Sequence, residues 1–165
     1  MKQIWSPWRL EYIEQSQKDK SKNQCFLCIN KTKKKMNNFV LYRGKYSFII
    51  LNRFPYNAGH LMVVPLRHIG AIEKLTAQET SEMFSLVQKS VVVLKKVFKP
   101  DGFNIGANIG KVAGAGVPGH IHLHVVPRWS GDTNFMPVVG DTKIINDSLN
   151  RIYNKLKKQL DSMGK

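Results

Sequence analysis

Cysteine is nearly missing from this sequence, with two in 165 residues, so it is not a small domain stapled by a framework of disulfides. Long apolar runs are missing as well. No stretch approaches the roughly 20 residues that a membrane helix needs, and the opening MKQIWSPWRL is too polar and too broken by proline to form the apolar centre of a signal peptide. The expectation is a cytoplasmic chain without a membrane span. Acidic side chains are scarce, 11 against 26 basic ones, which leaves a formal charge of +15. That sign attracts phosphate-bearing ligands, anionic membranes or nucleic acid and does not choose among them. Core-forming residues are plentiful: 42% hydrophobic and 22% charged is the balance of an ordinary soluble domain, and the length suits one domain.

Along the chain, Lys18, Lys20, Lys22, Lys31, Lys33, Lys34 and Lys35 bracket Cys25 and Cys28 in a stretch with little hydrophobic periodicity. This reads as a solvated loop. A nucleic-acid arm is the other reading, and the interleaved aromatics that stack bases are absent from it. Phe39 to Leu51 is rich in β-branched and aromatic residues around Arg43-Gly44-Lys45, which predicts a hairpin. His60 to Pro65 predicts a buried strand. Thr76 and Glu79 form a capping-box pattern ahead of Met83, Val87, Val91, Leu94 and Phe98, spaced as one helix face, and Pro100-Asp101-Gly102 stops that helix. Phe103 to Ile109 predicts a further strand, followed by a glycine-rich loop over residues 110 to 119 and then by HIHLHVVP. Ile145, Leu149, Ile152, Leu156 and Leu160 mark a docked amphipathic helix with a basic outer face. The pattern predicts a single α+β domain over 1–165 with a mainly antiparallel sheet: an N-terminal segment 1–38, a core 39–140 and a C-terminal helical segment 141–165.

All five histidines fall in two short segments: His60 and His68, then His120, His122 and His124. In a strand, residues two apart lie about 6.7 Å apart on one face, so the last three would line one side, with Ile121, Leu123 and Val125 on the other. One histidine on a half-exposed strand needs no function; three in strict alternation ask for one. Imidazole is largely neutral near pH 7 and can attack phosphorus, provided the other ring nitrogen is held as a donor. Gly110, Gly114, Gly116 and Gly119, directly before the three histidines, let backbone N–H groups approach an anion. Such donors would stabilise charge developing at the atom under attack.

These residues carry a resemblance. His120-Ile-His-Leu-His124-Val-Val resembles the motif of the histidine triad (HIT) family, and Asn52 with Gly59-His60-Leu-Met-Val-Val-Pro65 resembles that family's second block. Trp5-Ser-Pro-Trp-Arg9 and Pro127 to Phe135 resemble the bacterial branch that includes diadenosine tetraphosphate phosphorylase. The resemblance covers most of residues 1 to 140. It implies a HIT-like fold, with a five-stranded antiparallel sheet and two principal helices, in a homodimer whose sheets join side by side. It also implies that His122 is the nucleophile on an α-phosphate, that His124 binds phosphate and communicates with His60, that Asn52 contacts ribose, and that Asn108 lies near the phosphates or leaving group; Gly114 and Gly116 of the glycine-rich loop are read as substrate-binding on the anion-nest argument above. The implied reaction transfers a nucleoside monophosphate from a dinucleoside polyphosphate to His122 and then to water or phosphate. Other branches carry a hydroxyl or amide side chain shortly before the triad, where this chain has Gly116-Val117-Pro118, so substrate analogies with them are not carried over.

Cys25-Phe-Leu-Cys28 alone reads equally as a redox pair, a metal half-site or two small hydrophobes. His68 and His120 resemble the remaining zinc ligands of HIT proteins that begin with CxxC, which implies a structural Cys2His2 zinc site and no organic cofactor. Four protein ligands leave no open position for catalytic water. Rival readings are a nucleoside phosphoramidase or adenylyl-conjugate hydrolase using the same His122, and a non-catalytic, zinc-stabilised nucleic-acid-binding protein. A metal-dependent hydrolase is weakened by the shortage of carboxylates near the triad, where only Asp132 follows closely. Nucleotide is the expected partner, ahead of nucleic acid, with no role for a membrane.

Overall fold

The computed structural model describes residues 25–29, 39–133, 145 and 147–163. The Trp5 to Arg9 block, the lysines flanking the cysteine pair, and Asn134 and Phe135 lie outside the described residues. The elements run β1 (Val40–Arg43), β2 (Ser47–Leu51), β3 (Leu61–Pro65), a short 3-10 turn (Ile72–Lys74), α1 (Ala77–Phe98), β4 (Gly102–Gly106), β5 (Leu123–Arg128) and α2 (Leu149–Met163). The strands form one sheet in the order β1-β2-β3-β5-β4, and every neighbouring pair is antiparallel. Among the described residues no helix is long and apolar enough to cross a membrane.

The predicted hairpin forms where expected. Gly44 N–H donates to the Ser47 carbonyl at 2.8 Å, and the Glu82 carboxylate on α1 accepts the turn amides of Lys45 and Tyr46 at 2.9 and 2.6 Å. The capping box also forms: Thr76 Oγ1 accepts from Glu79 N–H at 3.2 Å, and the Glu79 carboxylate accepts from Thr76 N–H at 2.9 Å. The helix ends on Lys99, whose φ of 47° breaks the helical path ahead of Pro100.

Alternation along the strands sorts the core. Ile49 and Leu51, Leu61 and Val63, and Val125 face the helices and pack with Met83, Leu86, Val87, Val93, Leu94, Ile152, Leu156 and Leu160. Phe48, Ile50, Met62 and Val64 point the other way and are covered by Leu27, from the turn that carries the cysteines. Two expectations are corrected. Val91 and Phe98 border the helical stripe, while Leu86, Ser90 and Val93 are buried in it, because 3.6 residues per turn carries the buried face around the axis over six turns. The strand expected over Phe103 to Ile109 ends at Gly106. Gly106 pairs with His124, and β5 begins only one residue earlier, at Leu123, so residues 108 and 109 run past the end of the strand they would pair with.

Candidate active site

Only His124 of the triad lies within a strand. His120 and His122 occupy the extended approach to β5, a correction to the expectation of three strand residues. The approach is held by other means: Ile121 N–H donates to Ile69 O at 2.7 Å, and His120 N–H to Val117 O at 3.2 Å. Alternation still sorts the side chains, since Ile121 and Val125 are buried along with all three histidines. His124 pairs with Met62 on one side and Gly106 on the other, which puts it on the sheet face away from the helices. Gly106 is exposed, and a β-carbon built on it would meet nothing within 4 Å. The space beside His124 is therefore open on that side.

The hydrogen bonds assign the tautomers. His122 Nδ1 lies 2.9 Å from the carbonyl of His120, an acceptor only, so Nδ1 carries the proton and the lone pair of the neutral ring sits on Nε2. Tyr56 N–H donates to His60 Nδ1 at 3.0 Å. His60 Nε2 therefore holds its ring's proton and donates to His124 Nδ1 at 2.9 Å, which leaves His124 protonated at Nε2. That Nε2–H is buried and has no hydrogen-bond partner among the described residues, a costly arrangement unless an acceptor arrives. The His122 and His124 rings are 4.8 Å apart and nearly perpendicular, so the lone pair and the donor belong to adjacent rings. Burial, reinforced by its histidine neighbours, pushes His60 down to about 3. Burial pushes His124 down to about 4. Both stay neutral at pH 7.

Asn52 is buried, and its amide turns toward His60 Nδ1 at 3.2 Å while its oxygen accepts from Phe54 N–H. The structure thus places it beside His60, shaping the loop between β2 and β3. Asn108 approaches Tyr56 Oη at 3.4 Å and Gly114 O at 3.5 Å. Gly114 takes φ +86°, and its own N–H is used within the loop, donating to Lys111 O at 3.0 Å. Gly116 is exposed in the same loop. Sequence reasoning missed Tyr56, whose ring centroid lies 4.7 Å from that of His60 and 5.5 Å from that of His124. Its signal was an aromatic residue in the turn between Asn52 and His60.

The first triad residue faces elsewhere. His120 Nδ1 lies 3.5 Å from Cys25 Sγ and 3.8 Å from Cys28 Sγ, and His68 Nδ1 lies 3.3 Å from Cys28 Sγ. The four ligand atoms all fall within 4.8 Å of one another, and this group can hold a metal ion. With zinc bonds of about 2.3 Å to sulfur and 2.0 Å to nitrogen, the edges of a tetrahedron are about 3.3 to 3.8 Å, the range of these three contacts. His120 Nε2 donates to Pro65 O at 2.8 Å, which fixes the tautomer that leaves Nδ1 available as a ligand. Burial pushes the Cys25 thiol up to about 11 and lowers the pKa of His120. Arg67, next to His68, is clamped by Glu79 through bonds of 2.8 and 2.7 Å.

Residues 33–131 match the family model described as HIT domain. The chain is similar to the AP-4-A phosphorylase of Mycobacterium tuberculosis, at 39% identity over 88% of this chain and 77% of that protein. It is also similar to the asymmetrical bis(5'-nucleosyl)-tetraphosphatase of Schizosaccharomyces pombe, at 39% identity over 56% of this chain and 50% of that protein. Among solved structures it resembles a zinc-bound histidine triad family protein from Mycobacterium smegmatis, with TM-score 0.62 and 26% identity over 76% of this chain and 85% of the other.

Proposed function

The chain belongs to the HIT domain family, and from that premise we propose that it cleaves dinucleoside polyphosphates by way of a nucleotidyl-histidine on His122. The observation that carries this reading is the bond from His122 Nδ1 to the His120 carbonyl, which commits the lone pair to Nε2. In the first half-reaction Nε2 forms a bond to the α-phosphorus as the bond to the departing polyphosphate breaks. The His120 carbonyl then faces an imidazolium and strengthens its hold on Nδ1–H. His124 Nε2–H donates to a phosphoryl oxygen, and the proton relay through His60 back to the Tyr56 amide keeps it a donor. In the second half-reaction an oxygen of phosphate or water displaces His122 from phosphorus.

The relative matched over most of the chain is named a phosphorylase, which supports phosphate as acceptor, while the Schizosaccharomyces pombe relative is named a tetraphosphatase, which makes water the other outcome of the test. Diadenosine tetraphosphate incubated with the protein should give adenosine diphosphate only when phosphate is present. His122→Asn should lower turnover by about 10,000-fold or more with nucleotide binding retained. A variant that turns over as fast as the parent removes His122 from the mechanism.

Cys25, Cys28, His68 and His120 would hold a structural zinc ion, a reading supported by their spacing and by the zinc-bound structural relative. Closed coordination by four side chains supplies rigidity and no bound water. The chain is further read as one cytoplasmic domain with segments 1–38, 39–140 and 141–165, and as a homodimer joined sheet to sheet. Support for the dimer is that β4 is an outer strand of the sheet and carries an exposed Ile105.

A further inference from the structure

Tyr56 has three separate attachments to the site. Its N–H sets the tautomer of His60, its ring packs against His60 and His124, and its hydroxyl accepts a hydrogen bond from Asn108. The side chain is nevertheless half exposed, at 50%. A buried strut would be covered; this ring lies tilted against the two imidazoles, at 38° to His60 and 40° to His124, and leaves the rest of its surface exposed. A phenol has one O–H and two lone pairs. Asn108 uses a lone pair, so the proton stays available to an acceptor on the exposed side of the ring. The segment leading into the triad, Gly116-Val117-Pro118-Gly119, has no side-chain donor.

We infer that Tyr56 is a further catalytic residue: its hydroxyl donates a hydrogen bond to the oxygen that leaves the α-phosphorus. This rests on the nucleotidyl-histidine reading above. As the bond from phosphorus to His122 Nε2 forms, the bond from phosphorus to the departing oxygen breaks and its electron pair stays on that oxygen. The Tyr56 O–H remains covalently intact and shares its hydrogen with the new charge. The Asn108 amide, donating to the same phenol, makes that O–H a better donor.

The contribution should grow with the basicity of the leaving group, because a poorer leaving group places more charge on its oxygen in the transition state. The test uses a series of aryl esters of adenosine monophosphate, from para-nitrophenyl to unsubstituted phenyl, with the full-length protein and Tyr56→Phe. The variant keeps the ring and its packing. It should lose roughly 10- to 100-fold in kcat/KM on the phenyl ester and less than about 3-fold on the nitrophenyl ester. An equal loss across the series assigns Tyr56 a merely structural role and overturns the inference, as does no loss at all. If the parent forms no adduct on His122 with the nitrophenyl ester, the nucleotidyl-histidine reading falls and this one falls with it. An adduct formed equally by both proteins, with the steeper dependence confined to Tyr56→Phe, separates the two.

Discussion

At the scale of single residues, His120 joins two chemistries. Its Nδ1 faces two thiols, its Nε2 is held by Pro65, and its carbonyl holds the proton of His122. Alternation of three histidines in the sequence made a histidine-lined site legible, and the resemblance to the HIT family singled out His122 within it, but spacing could not show that the first imidazole turns to a different neighbour. The buried pair His60 and His124 has a measurable signature. His60 and His124 fall from about 6.5 in the unfolded chain to about 3 and about 4 when folded. A depressed base binds fewer protons folded than unfolded between those values, so stability rises with pH across that window. The contribution is full above about pH 6.5 and is lost as pH falls toward 3. Urea midpoints measured from pH 7.5 to 4 should decline, and His60→Gln should decline less steeply than the parent. Parallel curves would mean that His60 is not held neutral by folding.

At the scale of elements, the hairpin, the capped helix and the C-terminal amphipathic helix were legible because each is specified locally by pattern, cap and turn, except that Ile145, expected on the last helix, lies ahead of its start at Leu149. The ends of β4 and β5 were not, since each depends on where its partner stops. The loop between β3 and the 3-10 turn was also unreadable: Arg67, His68 and Gly70 are pinned by groups far along the chain. The Glu79 carboxylate, pushed down to about 2 by its hydrogen bonds with Arg67, anchors one end. At the other, a β-carbon on Gly70 would sit 2.6 Å from the Pro118 carbonyl oxygen and 3.0 Å from Gly119 Cα. Both are backbone and cannot swing aside. Gly70→Ala must therefore separate the loop bearing His68 from the segment entering the triad. It should cost about 2 kcal/mol in stability and weaken zinc binding roughly 10-fold in chelator competition. Unchanged zinc affinity would show that the two segments are not mechanically joined at that point.

At the scale of the molecule, the sheet divides labour between its faces. One face packs on both helices and supplies most of the apolar burial. The other has a small cluster, four buried strand residues capped by Leu27 of the cysteine-bearing turn, and it is beside this thinner layer that the histidines are held. The turn itself is short: Cys28 N–H bonds to Cys25 O and Ile29 N–H to Leu27 O, and Leu27 is its one fully buried anchor. Phe26 and Ile29 are only partly buried against the same cluster, which argues that ligation by His68 and His120 would help keep the turn on the sheet. Removing the metal should uncover Phe48, Ile50, Met62 and Val64 and loosen the His120 carbonyl that orients His122. Protein dialysed against a strong chelator should melt about 10 °C lower and lose turnover together with stability, both returning when zinc is restored. Cys28→Ser should match the chelated parent without further response to chelator. A purified parent that contains no zinc and melts identically with and without chelator would leave the packing of Leu27, Phe26 and Ile29 to hold the turn and would refute the coupling of metal to His122.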